Sequence, residues 1–362
     1  MENQMLYKKT NWFTAFTVSL LLSACGGGNG DSKQNGSSNP SAGGSNGGVP
    51  IQSGIRLSKK TRYTKGLQDE DIVTETTFKY DSENRLSIET TLVTYYDANG
   101  KEIVLNGNPK LIMTYEYDPN DHIKKITLNS YNRSNEIENI GINEFIYHGD
   151  VLYKSSHSHT SISDPDVNSS GFSTHENYVG FYATKITGKS FNHNHTKISE
   201  STTVRKVNNN RIVSDDIDSI QLVSGDHSKS HITYTYDEKK GIKTSKGLYK
   251  TFDAGSTTPK SIYRTDYTYN YNLHSDKVDP YCYRGKLPKN SRATLALMQF
   301  PACHLLTSLT SKSSTSSSNG ETIQKQNLTY KFDDKNLVIE DKMMIEPSDQ
   351  PYFSRSFEYE NY

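Results

Sequence analysis

The chain has 362 residues with 41 basic and 41 acidic side chains, so its formal net charge is zero. This balance excludes the basic footprint typical of nucleic-acid-binding proteins and gives no reason to expect a strongly charged partner. Hydrophobic residues make up only 32% of the chain, but 25 Tyr and 12 Phe supply apolar area that suits half-buried strands. The composition therefore favours an ordered β protein over a disordered chain.

The first 24 residues have the three parts of an export signal. Lys8 and Lys9 precede an apolar stretch over 12–22, and the small residues Ser23 and Ala24 follow it. The stretch is shorter than the roughly 20 apolar residues of a membrane-spanning helix. We therefore interpret 1–24 as a signal peptide that is removed.

The run Leu-Ser-Ala-Cys at 22–25 resembles the end of a bacterial lipoprotein signal. The resemblance implies that Cys25 is the mature N-terminus and carries a diacylglycerol thioether and an N-acyl chain such as palmitate. Two or more acyl chains make anchoring stable where one is marginal. Position 26 is Gly, not the Asp that commonly retains such lipoproteins at the inner membrane. We expect an outer-membrane lipid anchor, on the periplasmic or the cell-surface face.

Residues 25–50 form the second segment, which is rich in Gly, Ser and Asn and has almost nothing to bury. Such a composition predicts a flexible linker with a reach of about 25–30 Å. The third segment, 51–362, is the folded domain. Its runs alternate in the period of a strand, as at Leu111, Met113, Tyr115 and Tyr117.

Tight turn signals follow several of these strands, because Asp caps a turn and Asn or Gly tolerates positive φ. We predict an all-β fold, an antiparallel meander of hairpin repeats in an extended or twisted sheet. The units resemble the YD repeats of bacterial Rhs-type proteins and, more closely, lipoproteins of unknown function with a few such hairpins and one helical insertion. That resemblance implies a fold and no activity. The matching positions are Tyr80/Asp81/Leu86, Tyr117/Asp118/Ile123, Tyr236/Asp237/Ile242 and Phe332/Asp333/Leu337.

The alternation breaks at about 276–310, where a short helical pattern near 292–300 is flanked by Cys282 and Cys303. Two thiols in an exported protein usually pair, so we predict a disulfide that closes this insertion. The spacing differs from the C-x-x-C of redox-active pairs, which disfavours a redox role.

Downstream of residue 50 the chain has no G-x-S-x-G, H-E-x-x-H, P-loop or G-x-G-x-x-G motif, and we predict that it is not an enzyme. Two histidine pairs carry the sharpest chemical signal. His157 and His159, and likewise His193 and His195, are spaced to share one face of a strand, and two such strands side by side offer four nitrogens to zinc or copper. The polar neighbours of these histidines instead indicate solvated surface positions.

Two functions follow from the sequence. The first is a non-enzymatic binding or structural module at the outer membrane, with the membrane as partner through its lipid and a protein or a glycan as ligand. The second is a metal or haem receptor that uses the paired histidines. We predict no cofactor, no metal site and no nucleic-acid partner. A Tyr stripe at Tyr267, Tyr269 and Tyr271 suits a stacking platform, although packing within the sheet is the preferred interpretation.

Overall fold

The computed structural model describes residues 54–65, 71–97, 99–103, 110–132, 134–179, 182–209, 211–237, 241–271, 280, 305–315, 321–348 and 351–362. Within this part of the chain, Pro165–Val167 forms a 3₁₀ turn, and Pro280 also has 3₁₀ conformation. No helix in it has the length and apolarity needed to cross a membrane. The predicted signal peptide, the linker, the three cysteines and the predicted helix near 292–300 lie outside these residues.

Eighteen strands of 8–12 residues make up the described fold. In chain order they are β1 Ile55–Lys65, β2 Asp71–Tyr80, β3 Leu86–Tyr96, β4 Lys110–Tyr117, β5 Ile123–Tyr131, β6 Ile137–His148, β7 Val151–Ser161, β8 Ser169–Val179, β9 Tyr182–Asn192, β10 Lys197–Asn208, β11 Arg211–Gln221, β12 His227–Asp237, β13 Gly241–Phe252, β14 Ser261–Tyr271, β15 Leu306–Thr315, β16 Thr322–Phe332, β17 Val338–Ile345 and β18 Pro351–Asn361. The prediction of an all-β antiparallel chain is confirmed for these residues, and the predicted insertion at 276–310 overlaps the start of β15.

The sheet is a closed barrel, so the prediction of an open, extended or twisted sheet is wrong. Each strand pairs antiparallel with its neighbours in sequence, and β1 pairs with both β2 and β18. The closing register places Thr61 opposite Ser356 and Tyr63 opposite Ser354. Closure removes the two unpaired edges that an open meander would expose, which is the physical reason for a ring.

The two faces of the wall differ in composition and in accessibility. A line of cross-strand neighbours from β10 to β15 marks one face: Arg205, Asp215, Ile232, Gly247, Thr265 and Ser313. Carboxylates on this face are shielded, and the side chain of Asp215 is only 4% exposed. On the other face the side chains of Lys246 and Asp266 are 64% and 49% exposed. Side chains converge on the concave side of a ring, so we assign the shielded face to the inside. We call it the inner face and the other the outer face.

One end of the barrel carries a repeated tyrosine contact between paired strands. In each case a tyrosine at the end of an even-numbered strand donates its hydroxyl to a carbonyl at the start of the preceding odd-numbered strand. The bonds, of 2.6–2.9 Å, are Tyr80 to Leu57, Tyr117 to Leu86, Tyr178 to Leu152, Tyr236 to Ile212, Tyr330 to Leu306 and Tyr359 to Val338. The apolar residues beside them form the main core of the wall, including Leu57, Phe78, Leu86, Ile123, Leu152 and Val338. We call this end the tyrosine rim.

A five-residue turn recurs at both ends of the barrel. Its first residue is Asp or Asn, whose Oδ1 accepts the N–H groups two and four residues later, as Asp81 does from Glu83 and Arg85. Its fourth residue has positive φ, as at Asn84, where φ is 61°. The same side-chain bonds begin the turns at Asp97, Asp118, Asn132, Asn192 and Asp333. Asp81, Asp118 and Asp333 of the predicted hairpin signals are therefore turn caps.

These turns should make the barrel sensitive to acid. Burial opposes ionisation of Asp81 and Asp118, but hydrogen bonds from Arg85 and His122 outweigh it and lower the pKa of both carboxyls below 3.8. A lowered folded pKa stabilises the fold above the unfolded value, and this contribution is lost as pH falls through the folded pKa. We expect the midpoint of thermal unfolding, followed by circular dichroism, to fall steeply below about pH 4.

Asp81→Asn combined with Asp118→Asn is the matched variant, because Asn132 and Asn192 cap the same turn without a charge. It should unfold at a lower temperature than the wild type at pH 7 and show a flatter dependence on pH between 5 and 3. An unchanged slope would contradict the assignment of acid sensitivity to these turns.

Candidate functional site

Two shielded ion pairs stand on the inner face. Asp341 of β17 accepts three hydrogen bonds of 2.5–3.1 Å from the guanidinium of Arg355 on β18, and its side chain is 1% exposed. On β10 and β11, Arg205 donates from Nε and Nη2 to Asp215 at 2.7 and 3.2 Å. Both are two-point contacts, the geometry in which an Arg–carboxylate pair is strongest. The sequence analysis missed these residues, because it had no signal for the register that brings them together.

A tyrosine-rich part of the inner face lies between the two ion pairs. Tyr249 on β13 sits opposite Tyr263 on β14, with ring centroids 6.0 Å apart and planes at 40°. Further along β14, the rings of Tyr267 and Tyr269 are 6.4 Å apart. Tyr267 and Tyr269 of the predicted stripe therefore share one face of β14. Tyr249 and Tyr263 extend this group of tyrosines along the same face.

The two predicted histidine pairs do not share a strand surface. His157 and His159 share one face of β7, as predicted; it is the inner face, and they lie opposite Gly171 and Ser169 of β8. His193 and His195 lie instead in the β9–β10 turn, where the Nδ1 of His193 is 3.1 Å from the carbonyl oxygen of Asp166. His195 takes the positive-φ position of that turn, with φ of 58°.

Among the described residues, no group of three or more His, Cys, Asp or Glu side chains is placed to hold a metal ion. The other histidines of the middle region are also separated. His227 stacks on Phe252 with centroids 4.3 Å apart, and the Nδ1 of His231 is 2.6 Å from Oδ1 of Asp216 on the outer face. The four-nitrogen arrangement that was the alternative interpretation of these two pairs is therefore not formed by the described residues.

Ser155 and His175 lie close together on the inner face. A serine beside a histidine is the arrangement of a nucleophile and its general base in many hydrolases. The Oγ of Ser155 lies 3.5 Å from Nε2 of His175. Burial, together with the charge of Arg205, lowers the pKa of His175 to about 4. A catalytic histidine needs a carboxylate that stabilises its protonated form, whereas this one has a cation as its electrostatic neighbour. The contact is unsuited to nucleophilic catalysis.

Two side chains at equivalent positions, Arg85 and His122, link neighbouring turns at the tyrosine rim. Arg85 donates to Asp81 at 2.8 Å and to Asp121 of the next turn at 2.9 Å, and its guanidinium lies 4.6 Å from the Tyr117 ring centroid. The same position one turn later is His122. Its Nδ1 and Nε2 lie 2.9 and 3.1 Å from carboxylates of Asp118 and Asp150, and it stacks on Tyr147 at 4.5 Å. The Asp-x-x-x-Arg and Asp-x-x-x-His spacings in the sequence were the signal for these links.

No protein-family model and no curated protein matched the chain. Among solved structures, the chain is similar to a porin-like protein from Bacteroides uniformis, with 11% identity and a TM-score of 0.41 over 84% of this chain and 98% of that chain. It is also similar to a porin-like protein from Bacteroides vulgatus, with 11% identity and a TM-score of 0.37 over 83% and 97% of the two chains.

The predicted resemblance to lipoproteins with degenerate YD repeats is wrong as a description of this chain. The units at Asp81, Asp118 and Asp333 are turns in one closed ring of strands. The pairing of β1 with β18 has no place in an open array of hairpins. The turns at Asp81, Asp118 and Asp333 were predicted correctly, the predicted turn over 238–240 lies outside the described residues, and the closed assembly was not predicted.

Proposed function

We propose that the chain is a non-enzymatic β-barrel lipoprotein of the outer membrane, tethered through lipid at Cys25 and acting as a binding module. The observation that carries the proposal is the charge of the outer face. A wall that contacts lipid needs an apolar band about 25 Å tall, and a Lys or Arg at its midplane costs about 2–4 kcal/mol.

Ion pairs link neighbouring strands along much of the outer face. Five of them are Lys59–Glu75, Lys185–Glu176, Lys229–Asp218, Lys246–Asp266 and Lys331–Glu340, with N–O distances from 2.7 to 3.9 Å. These pairs fall on β1–β2, β8–β9, β11–β14 and β16–β17 and therefore on widely separated parts of the ring. Such a surface suits water, which supports a barrel that lies beside the bilayer instead of within it.

Both ends of the described chain meet at the tyrosine rim. β1 begins there, and the N–H of Tyr362 donates to the carbonyl of Gly54 at 3.1 Å. A linker over 26–50 with a reach of about 25–30 Å would hold this rim towards the membrane. The connection between β14 and β15, which contains Cys282 and Cys303, leaves the same rim, and we propose that these two cysteines form a disulfide.

A water-filled channel through the bilayer is the second candidate function. It is favoured by the strand number, because barrels of 16–18 strands leave an aqueous lumen. A tethered binding module has its outer face in water, whereas a channel has its outer face in lipid. Extraction from membranes therefore distinguishes the two functions.

The test is fractionation of cells that express the wild type or Cys25→Ala. We expect the wild type in the detergent phase with a lipid mass on Cys25, and the variant in the aqueous phase with an unchanged β-type circular dichroism spectrum. Cys282→Ala is the matched control and should keep its lipid. If Cys25→Ala stays in membranes after alkaline carbonate extraction, the barrel itself is inserted and the tether proposal fails in favour of the channel.

A further inference from the structure

The described side chains on the inner face of β12–β16 carry no charge. Among its described residues, Ser, Thr, Gln and Tyr predominate, and the bounding charges are the Arg205–Asp215 and Asp341–Arg355 ion pairs. Register fixes its centre: Tyr234, Ser245, Tyr267, Ser311 and Gln324 lie opposite one another on successive strands. We call this region the tyrosine sector.

Gly247 leaves room for the ring of Tyr249 to pack against the barrel wall in this sector. A Cβ added to Gly247 would lie 2.5 Å from Cε2 and 2.8 Å from the hydroxyl oxygen of Tyr249. The Tyr249 ring therefore occupies the space directly above the glycine backbone. Beside it, Tyr263 is 39% exposed, so part of a second ring is open to a ligand.

Neutral hydrogen-bonding groups border the two rings. Ser311 and Ser313 lie on β15, next to β14, and the amide side chains of Gln324 and Gln326 follow on β16. The Thr265 hydroxyl is buried beside Tyr249, 2.9 Å from the position of a Gly247 Cβ, and has no hydrogen-bond partner among the described residues. Aromatic faces bordered by hydroxyl and amide groups can stack on a ring and bond its substituents.

We propose that the tyrosine sector binds an uncharged oligosaccharide, with Tyr249 and Tyr263 stacking on its sugar rings. The described side chains of the sector include no cation to pair with a phosphate, sulfate or uronate and no carboxylate to pair with an amine, which is why the ligand is neutral. Ligand sites combine aromatic surfaces with a few placed polar groups, and this sector has both. The inference deepens the proposed binding function by naming its ligand class, and it is independent of how the barrel is tethered.

The experiment titrates the purified, signal-free full-length protein with maltohexaose, cellohexaose, xylohexaose and chitohexaose, and with a heparin hexasaccharide as the charged counterpart. Tyrosine fluorescence is the readout, because the one Trp of the chain, Trp12, lies in the predicted signal peptide. Saturation-transfer NMR provides a second measurement. We expect at least one neutral hexasaccharide to bind and the heparin fragment not to bind.

Tyr263→Ala should weaken binding by at least about tenfold, which corresponds to about 1.4 kcal/mol. Gly247→Val, which displaces the Tyr249 ring, should do the same. Tyr63→Ala is the matched control, because Tyr63 is 49% exposed but faces outwards on β1. Unfolding temperatures establish that each variant is folded.

The proposal is overturned if no neutral hexasaccharide binds, if the heparin fragment binds equally well, or if Tyr63→Ala weakens binding as much as Tyr263→Ala. Failure of the tether would appear only in the fractionation of Cys25→Ala and would leave these titrations unchanged.

Discussion

Replacing Asp341 by Ala is expected to lower the free energy of unfolding by about 3–5 kcal/mol, the usual cost of removing one partner from a buried ion pair. Asp341 is 1% exposed and takes all three of its hydrogen bonds from Arg355, whose guanidinium also lies 5.0 Å from the Phe353 ring centroid. The variant leaves that guanidinium on the inner face without its carboxylate. Urea unfolding followed by far-ultraviolet circular dichroism measures the change.

Two further variants identify the cause. Glu340→Ala alters the preceding residue, whose side chain points outwards and pairs with Lys331 and Lys342. Exposed pairs contribute little, so it should cost less than about 1 kcal/mol. The double variant Asp341→Leu with Arg355→Leu removes both charges and should recover much of the loss. If Asp341→Ala and Glu340→Ala unfold at the same urea concentration, the assignment of inner and outer faces is wrong.

The strands were predictable because the alternation that specifies them lies within a few consecutive residues. Leu111, Met113 and Tyr115 alternate with Ile112 and Thr114, and the structure places the first three on the inner face of β4. The turn residues were local too, since an Asx cap needs only the four residues that follow it.

Closure of the ring was not predictable, because it joins residues at the two ends of the domain. Thr61 and Ser356 pair although almost 300 residues separate them in sequence. Nothing in the sequence pattern of β1 or β18 indicates which strand it pairs with. The inner ion pairs depend on the same long-range information. In addition, bulges such as the one between Lys206 and Val207 shift which residues share a face.

The second histidine pair shows how two local patterns can compete. The spacing of His193 and His195 suits a strand, but Asn192 precedes them and caps a turn through its bonds to Asn194 and Thr196. Asn192 to Thr196 repeats the Asx turn of Asp81 to Arg85, with His195 at the place of Asn84. The turn pattern decides the conformation because it satisfies two backbone N–H groups at once.

The equivalence of Arg85 and His122 leads to the second large expected effect. His122 is 1% exposed and bridges carboxylates of two successive turns, Asp118 and Asp150. His122→Ala removes both contacts and the stacking on Tyr147, and it leaves a cavity at the rim. We expect a loss of about 3 kcal/mol in the free energy of unfolding, measured in urea.

His122→Arg tests whether the position requires a polar side chain that reaches the carboxylates of both turns. Arg85 makes the corresponding two contacts one turn earlier, so a guanidinium at 122 should retain at least half of the stability that His122→Ala loses. The reciprocal variant Arg85→His should likewise be milder than Arg85→Ala. In each comparison the residues of the turn stay the same, and only the side chain at position 85 or 122 that links the two turns changes. If His122→Arg is as unstable as His122→Ala, the two positions are not equivalent, and the rim depends on the shape of the imidazole instead of on a repeated link between turns.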